Sequence, residues 1–135
     1  IANEVLFTKA RELLSSMDLW EKRDAQVRAI SYGEQRKLEI ALSLASEPKV
    51  VLLDEPSTGL TSAESADITS RIRNLGQDIT VIIVAHDMDL VFGVAERIIV
   101  LYYGEIIAEG TCDEISRDPR VKEIYMGVEE GAGNA

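Results

Sequence analysis

Two short apolar runs, each closed by a polar pair, constrain the fold of this chain more than any other feature. Val50-Val51-Leu52-Leu53 ends at Asp54-Glu55, and Val81-Ile82-Ile83-Val84-Ala85 ends at His86-Asp87. Runs this short and this aliphatic read as strands, and their unbroken apolarity predicts burial on both faces, as in a parallel sheet. A parallel pair needs a long crossover. The intervening segment supplies one: Thr61 with Glu64 makes a capping box, and residues 63–75 follow a helical pattern. In open parallel sheets, chemistry collects beyond the carboxyl ends of the strands, where both polar pairs sit.

The rest of the chain extends this rhythm. Apolar residues recur at Val5, Leu6, Ala10, Leu13, Leu14 and Met17, a helical spacing over 2–17 whose apolar side is expected to be internal core. Residues 18–28 are charged around Trp20 and read as a connection. Ser31 with Glu34 is a second capping box, opening a helix that carries Leu38, Ile40, Ala41, Leu44 and Ala45 and stops near Pro48. A short helix is predicted over 87–95, then a strand over 97–102, a turn at Tyr103-Gly104 and a returning strand over 105–109. Thr111 with Glu114 is a third capping box, and Pro119 suits the first turn of a last helix ending near Met126. The Gly- and Glu-rich tail from Gly127 is expected to fray. The pattern as a whole is α/β.

Composition narrows the function classes. The 135 residues hold 14 Lys and Arg against 24 Asp and Glu, a net charge of −10 that argues against a nucleic-acid or anionic-lipid surface. The acid is concentrated in residues 61–135. The longest apolar run, Ile98–Tyr103, is too short to cross a bilayer. Glu4 interrupts any signal-peptide pattern, and the single cysteine, Cys112, fits a reducing compartment. Because the chain opens on Ile1 rather than Met, a fragment or processed product is expected.

Three groups of residues could carry chemistry. At the end of the first strand, one carboxylate of the Asp54-Glu55 pair could hold Mg²⁺, mostly through water, while the other positions or deprotonates an attacking water. An ordinary solvated turn reads the same heptapeptide about as well. Ser31-Tyr32-Gly33-Glu34-Gln35 starts a helix, where exposed N–H groups and the helix dipole favour a phosphate. An ordinary N-cap explains that stretch too. His86, the only histidine, could sense a terminal phosphate. By itself a lone histidine at a strand end is more often structural.

Taken in order, these residues resemble the ATP-binding subunit of ATP-binding-cassette (ABC) transporters. Ile30-Ser31-Tyr32-Gly33-Glu34-Gln35 is similar to the family signature, Val50 to Asp54 to the Walker B strand, and Glu55 to the catalytic glutamate. Ser57-Thr58-Gly59-Leu60-Thr61 sits where the D-loop belongs, and His86 matches the switch histidine. Residues 32–41, Ala85 to Val91 and the ending Ile124-Tyr125-Met126-Gly127 resemble the branched-chain amino acid importers. Tyr32, Glu34 and Thr61 depart from the general family pattern. No glycine here is followed by lysine, so the phosphate-cradling G-x-x-x-x-G-K-[ST] loop is absent, as is the glutamine loop.

The resemblance implies an incomplete P-loop NTPase fold, with residues 1–46 in the helical subdomain, 47–126 in the C-terminal part of the ATPase core, and 127–135 a flexible tail. It implies ATP and Mg²⁺ as cofactors. Asp54 would be the metal residue, Glu55 and His86 the catalytic ones, and Ser31, Gly33 and Gln35 would contact the ATP of a partner subunit. Expected partners are transmembrane permease subunits, a second ATPase subunit and, indirectly, a solute-binding protein, with no nucleic acid. The expected location is the cytoplasmic face of the cell membrane. The chain alone is expected to lack ATPase activity and to expose sheet edge and core that invite aggregation or swapping. A non-transport ABC ATPase and a non-catalytic binding module are the alternatives.

Overall fold

The computed structural model describes residues 2–127 and divides into two compact units, one ending at Val94 and the other beginning at Ala95. The first unit contains α1 (Ala2–Ser16), two 3₁₀ turns (Trp20–Lys22 and Val27–Ala29) and α2 (Tyr32–Leu44). It continues through β1 (Val50–Asp54), α3 (Ser62–Arg73), β2 (Thr80–Val84) and α4 (Met88–Val94). β1 and β2 pair in parallel, with Val51 opposite Val81, Leu53 opposite Ile83 and Asp54 opposite Val84. The register aligns the ends of the two strands.

One face of this pair packs on helices. Val51 is buried with Met17, Leu19, Ile40, Ala41, Leu44, Ile68, Ile72 and Leu90, and Leu53, Val81, Ile83 and Ala85 pack against that cluster. Contrary to the expectation of strands buried on both faces, the other face is open. Val50, Leu52, Ile82 and Val84 are 52 to 72% exposed. The strands alternate, and the helices of the unit cover only one side. A second expectation also fails in part. Leu13, Leu14 and Met17 of the α1 stripe reach the core, but Val5 and Leu6, with Phe7, are exposed, because only the C-terminal turns of α1 meet it.

Each capping box read in the sequence forms. The hydroxyls of Ser31, Thr61 and Thr111 accept from the backbone N–H groups of Glu34, Glu64 and Glu114, whose carboxylates accept in return. Reciprocal bonding of this kind satisfies donors that a helix start otherwise leaves bare.

The second unit contains β3 (Ile98–Tyr102), β4 (Glu105–Gly110), α5 (Cys112–Arg117) and α6 (Pro119–Val121), which passes into a π-helical turn over Lys122–Met126. β3 pairs with β4 in an antiparallel hairpin and not with the parallel pair. Tyr103 and Gly104 both have positive φ, 47° and 81°, the backbone that a two-residue hairpin turn requires. Ile98, Val100, Ile115 and Val121 are buried. The expected last helix divides because Asp118 caps a fresh start, accepting from the N–H groups of Arg120 and Val121 with Pro119 at the first turn. The expectation of a frayed tail falls almost wholly outside the described residues. Among those residues, no helix is long and apolar enough to cross a membrane.

Candidate functional site

The aligned ends of β1 and β2 bring Glu55 and His86 together. Glu55 Oε2 lies 2.8 Å from His86 Nδ1. The backbone of Glu55 is left-handed, with φ at 47°, a conformation that strains any residue bearing a Cβ. Two bonds hold it there: its N–H donates to Val84 O at 2.7 Å, and its carbonyl accepts from Thr58 N–H at 3.2 Å. The bend turns Glu55 out of the pleat that governs Asp54. Glu55 is partly buried and His86 is 75% exposed at its side chain. The hydrogen bond with Glu55, then the charge of Glu55, then that of Asp87, raise the imidazole above its ordinary pKa.

Asp54 is exposed, and its carboxylate makes no hydrogen bond or ion pair with a described residue. One open carboxylate suits Mg²⁺, which keeps most of its waters and takes its remaining ligands from phosphate. Among the described residues no cluster of three metal-ligating side chains exists, so the protein side of such a site is sparse.

The second candidate group sits at the start of α2. Ser31 accepts from Glu34 N–H at 3.2 Å and donates its own N–H to Glu34 Oε2 at 2.8 Å. Glu34 also pairs with Lys22, and that hydrogen bond with the one from Ser31 holds its carboxyl below the usual range. Gly33 is buried against α3: a Cβ there would lie 2.6 Å from Glu64 Oε1. A Cβ at Gly33 would therefore push the Glu64 side chain aside, independently of any ligand. The Gln35 amide donates back to Ile30 O at 3.3 Å and Val27 O at 3.4 Å, fastening the preceding turn. Tyr32 is half-exposed and rests on Gly59, whose φ of 79° admits only glycine comfortably. A cavity of about 180 Å³ opens between the two helices, lined by Ser31, Gly33, Lys37, Glu64 and Asp67.

The six sequence-predicted residues thus fall into two places. Asp54, Glu55 and His86 share one sheet edge, whereas Ser31, Gly33 and Gln35 share one helix start. Among the described residues no hydrogen bond joins the two groups; the Tyr32–Gly59 contact runs between them. Two neighbours had no role of their own in the sequence analysis. Ser57 is the one polar residue in the buried class among those described, and Asp87 accepts hydrogen bonds from the start of α4 and from Ser65 on α3. The residue after a catalytic candidate carries no sequence pattern of its own; the Ser65–Asp87 bond across 22 positions exists only in the fold.

Comparison with known proteins is consistent with this geometry. Residues 3–58 match the family model described as ABC transporter. With the fold, this match gives the class: the chain belongs to the ATP-binding-cassette family. Residues 105–131 match a second model, described as branched-chain amino acid ATP-binding cassette transporter. Among similar curated proteins, the high-affinity branched-chain amino acid transport ATP-binding protein LivG of Salmonella typhimurium is 36% identical over 88% of this chain and 48% of its own length. BraF of Pseudomonas aeruginosa, described in the same words, is 34% identical over 87% and 47%. The lipopolysaccharide export system ATP-binding protein LptB of Haemophilus influenzae is 38% identical over 88% and 50%. The chain therefore spans about half the length of these relatives. An ATP-binding cassette of an ABC transporter, solved in its ADP conformation, superposes with a TM-score of 0.79 at 31% identity, covering 90% of this chain and 50% of that one.

Proposed function

We propose that this chain supplies the hydrolytic sheet edge and the signature helix of an ABC importer ATPase that handles branched-chain amino acids or related small solutes. The Glu55–His86 pair at 2.8 Å carries the reading. In it, a carboxylate fixed by a strained backbone stands beside an imidazole that, when protonated, donates Nδ1–H to Glu55 and Nε2–H to a phosphate oxygen. Glu55 orients an attacking water and accepts its proton; His86 hydrogen-bonds the terminal phosphate. Asp54 would hold Mg²⁺, which neutralises phosphate charge when bound. Ser31, Gly33 and Gln35 would meet ATP held by a second ATPase subunit. For Gln35 this means leaving the Val27 and Ile30 carbonyls, and for Gly33 the contact would be through backbone N–H. The remaining partners of this reading are permease subunits and an indirect solute-binding protein, with the chain on the cytoplasmic face of the membrane.

The reading assigns negligible ATPase activity to residues 1–135 alone, since the sequence carries no G-K-[ST] phosphate cradle. The test is phosphate release by a subunit joining these residues to a Walker A half, for instance from a LivG-type relative. Glu55→Gln should cut turnover about 100-fold or more; unchanged turnover removes Glu55 from the chemistry. In vesicles with the permease, stimulation by leucine, isoleucine or valine supports the importer assignment. The similarity to LptB favours one second reading, an export ATPase, which absence of stimulation by any small solute would support.

A further inference from the structure

Among the described residues, no side chain but Glu55 bonds to His86, and three-quarters of the His86 side chain is exposed. What fixes the turn that presents it is the next residue. Asp87 Oδ1 accepts from the N–H groups of Asp89 at 3.0 Å and Leu90 at 3.2 Å, and Asp87 O accepts from Val91 N–H at 3.0 Å, so Asp87 starts α4. A cap uses only that one oxygen. The other, Oδ2, accepts from Ser65 Oγ at 3.1 Å on the first turns of α3. Ser57, two residues after Glu55 and only 9% exposed, also favours the charged form of this carboxylate. One carboxylate therefore joins the first turns of α3, the helix that follows the Glu55 loop, to the turn that leaves His86.

We infer that Asp87 is a positioning residue for the Glu55–His86 pair: its second oxygen, held by Ser65 with Ser57 beside it, ties the helix that follows the Glu55 loop to the turn that presents His86. The inference rests on the proposed hydrolytic role of that pair. A purely capping role would leave Oδ2 facing water. Instead it accepts from the partly buried Ser65 hydroxyl of a neighbouring helix, and a shielded hydroxyl without an acceptor is costly. Burial pushes the Asp87 carboxyl up, yet Leu90, Ser57 and Ser65 outweigh it and hold the carboxyl below its ordinary range.

The single histidine gives an unambiguous spectroscopic readout. Nitrogen-15 shifts of the His86 imidazole, recorded on the 135-residue chain at a pH where the ring is neutral, report which nitrogen carries the proton. With Nδ1 facing Glu55, the wild type should populate the Nδ1–H tautomer, and Glu55→Ala should return the ring to the ordinary Nε2–H preference. Asp87→Ser retains a capping oxygen but is too short to reach Ser57 and Ser65. It should shift the tautomer as Glu55→Ala does, with helix content unchanged by circular dichroism. Ser57→Ala/Ser65→Ala, which leaves the cap intact, should do the same, and Asp87→Asn should restore the wild-type ratio. If Glu55→Ala shifts the tautomer while Asp87→Ser and the double variant leave it at wild type, Asp87 is a cap alone and the inference falls. If Glu55→Ala itself changes nothing, there is no pair to position; both the inference and the hydrolytic reading beneath it fall.

Discussion

At the scale of single residues, the site is held by backbone strain as much as by side-chain contacts. Glu55 adopts a φ of 47° where glycine would sit freely. A Cβ in that region costs about 1 kcal/mol. Glu55→Gly should therefore leave the melting temperature unchanged or raise it by a few degrees, while abolishing the histidine pair. A fall of more than 5 °C would show that the side chain contributes more than the backbone strain costs. His86 gives the matching pH statement. Its folded pKa lies above the ordinary 6.5 because of Glu55, so its stabilising contribution is complete below 6.5 and is lost as pH rises through the folded value. A proton NMR titration should find the midpoint above 6.5 and find it lowered in Glu55→Ala. Gly33 is the other residue of this kind. Gly33→Ala should displace Glu64 from its cap and cost about 1 kcal/mol in denaturant unfolding, the usual value of a lost cap.

At the scale of elements, the helix starts carry the pH dependence. Hydrogen bonds from Thr61 and Thr111 hold Glu64 and Glu114 below the usual carboxyl range, Lys22 and Ser31 do so for Glu34, and Arg120 for Asp118. A depressed folded pKa gives stability that is present above the unfolded value and lost as pH falls through the folded one. Thermal melts should rise slightly from pH 7 toward 5 as His86 protonates and fall steadily below 4.5, with Thr61→Ala less stable by about 1 kcal/mol at neutral pH and less sensitive to acid. These same elements were the most legible part of the sequence. A capping box needs two residues three positions apart, and all three such patterns formed. The Asp118 cap was overlooked because Pro119 alone drew attention to that start. At the site, the order of Asp54, Glu55 and His86 was readable, since the strand ends announce themselves. The clasp made by Ser65 and Asp87 was not, because its partners are distant in sequence. Gln35 illustrates a further limit: a polar residue at a helix start reads as ligand-facing, yet here its amide is bonded to the preceding turn.

At the scale of the whole molecule, an apolar run does not reveal how many faces are covered. Val50-Val51-Leu52-Leu53 has the composition of a doubly buried strand, but cover depends on what packs against each side, and Leu52 is 72% exposed. The open face of Val50, Leu52, Ile82 and Val84 should drive self-association. Sedimentation should show concentration-dependent oligomers for the chain, reduced by Leu52→Lys without loss of melting temperature; a monomer at all concentrations would refute this. The two sheets also differ in the distance over which they close. β3 and β4 meet across Tyr103-Gly104, whereas β1 and β2 meet only after the crossover through α3. Hairpins form in about 1–10 μs, while pairing across a long loop waits on chain closure. The turn at Tyr103-Gly104 thus lets the second unit gather early, and the apolar strands of the first stay unpaired longest. The interval before β1 finds β2 is when this polypeptide is most vulnerable, and a chaperone that holds extended aliphatic segments would find its substrate there.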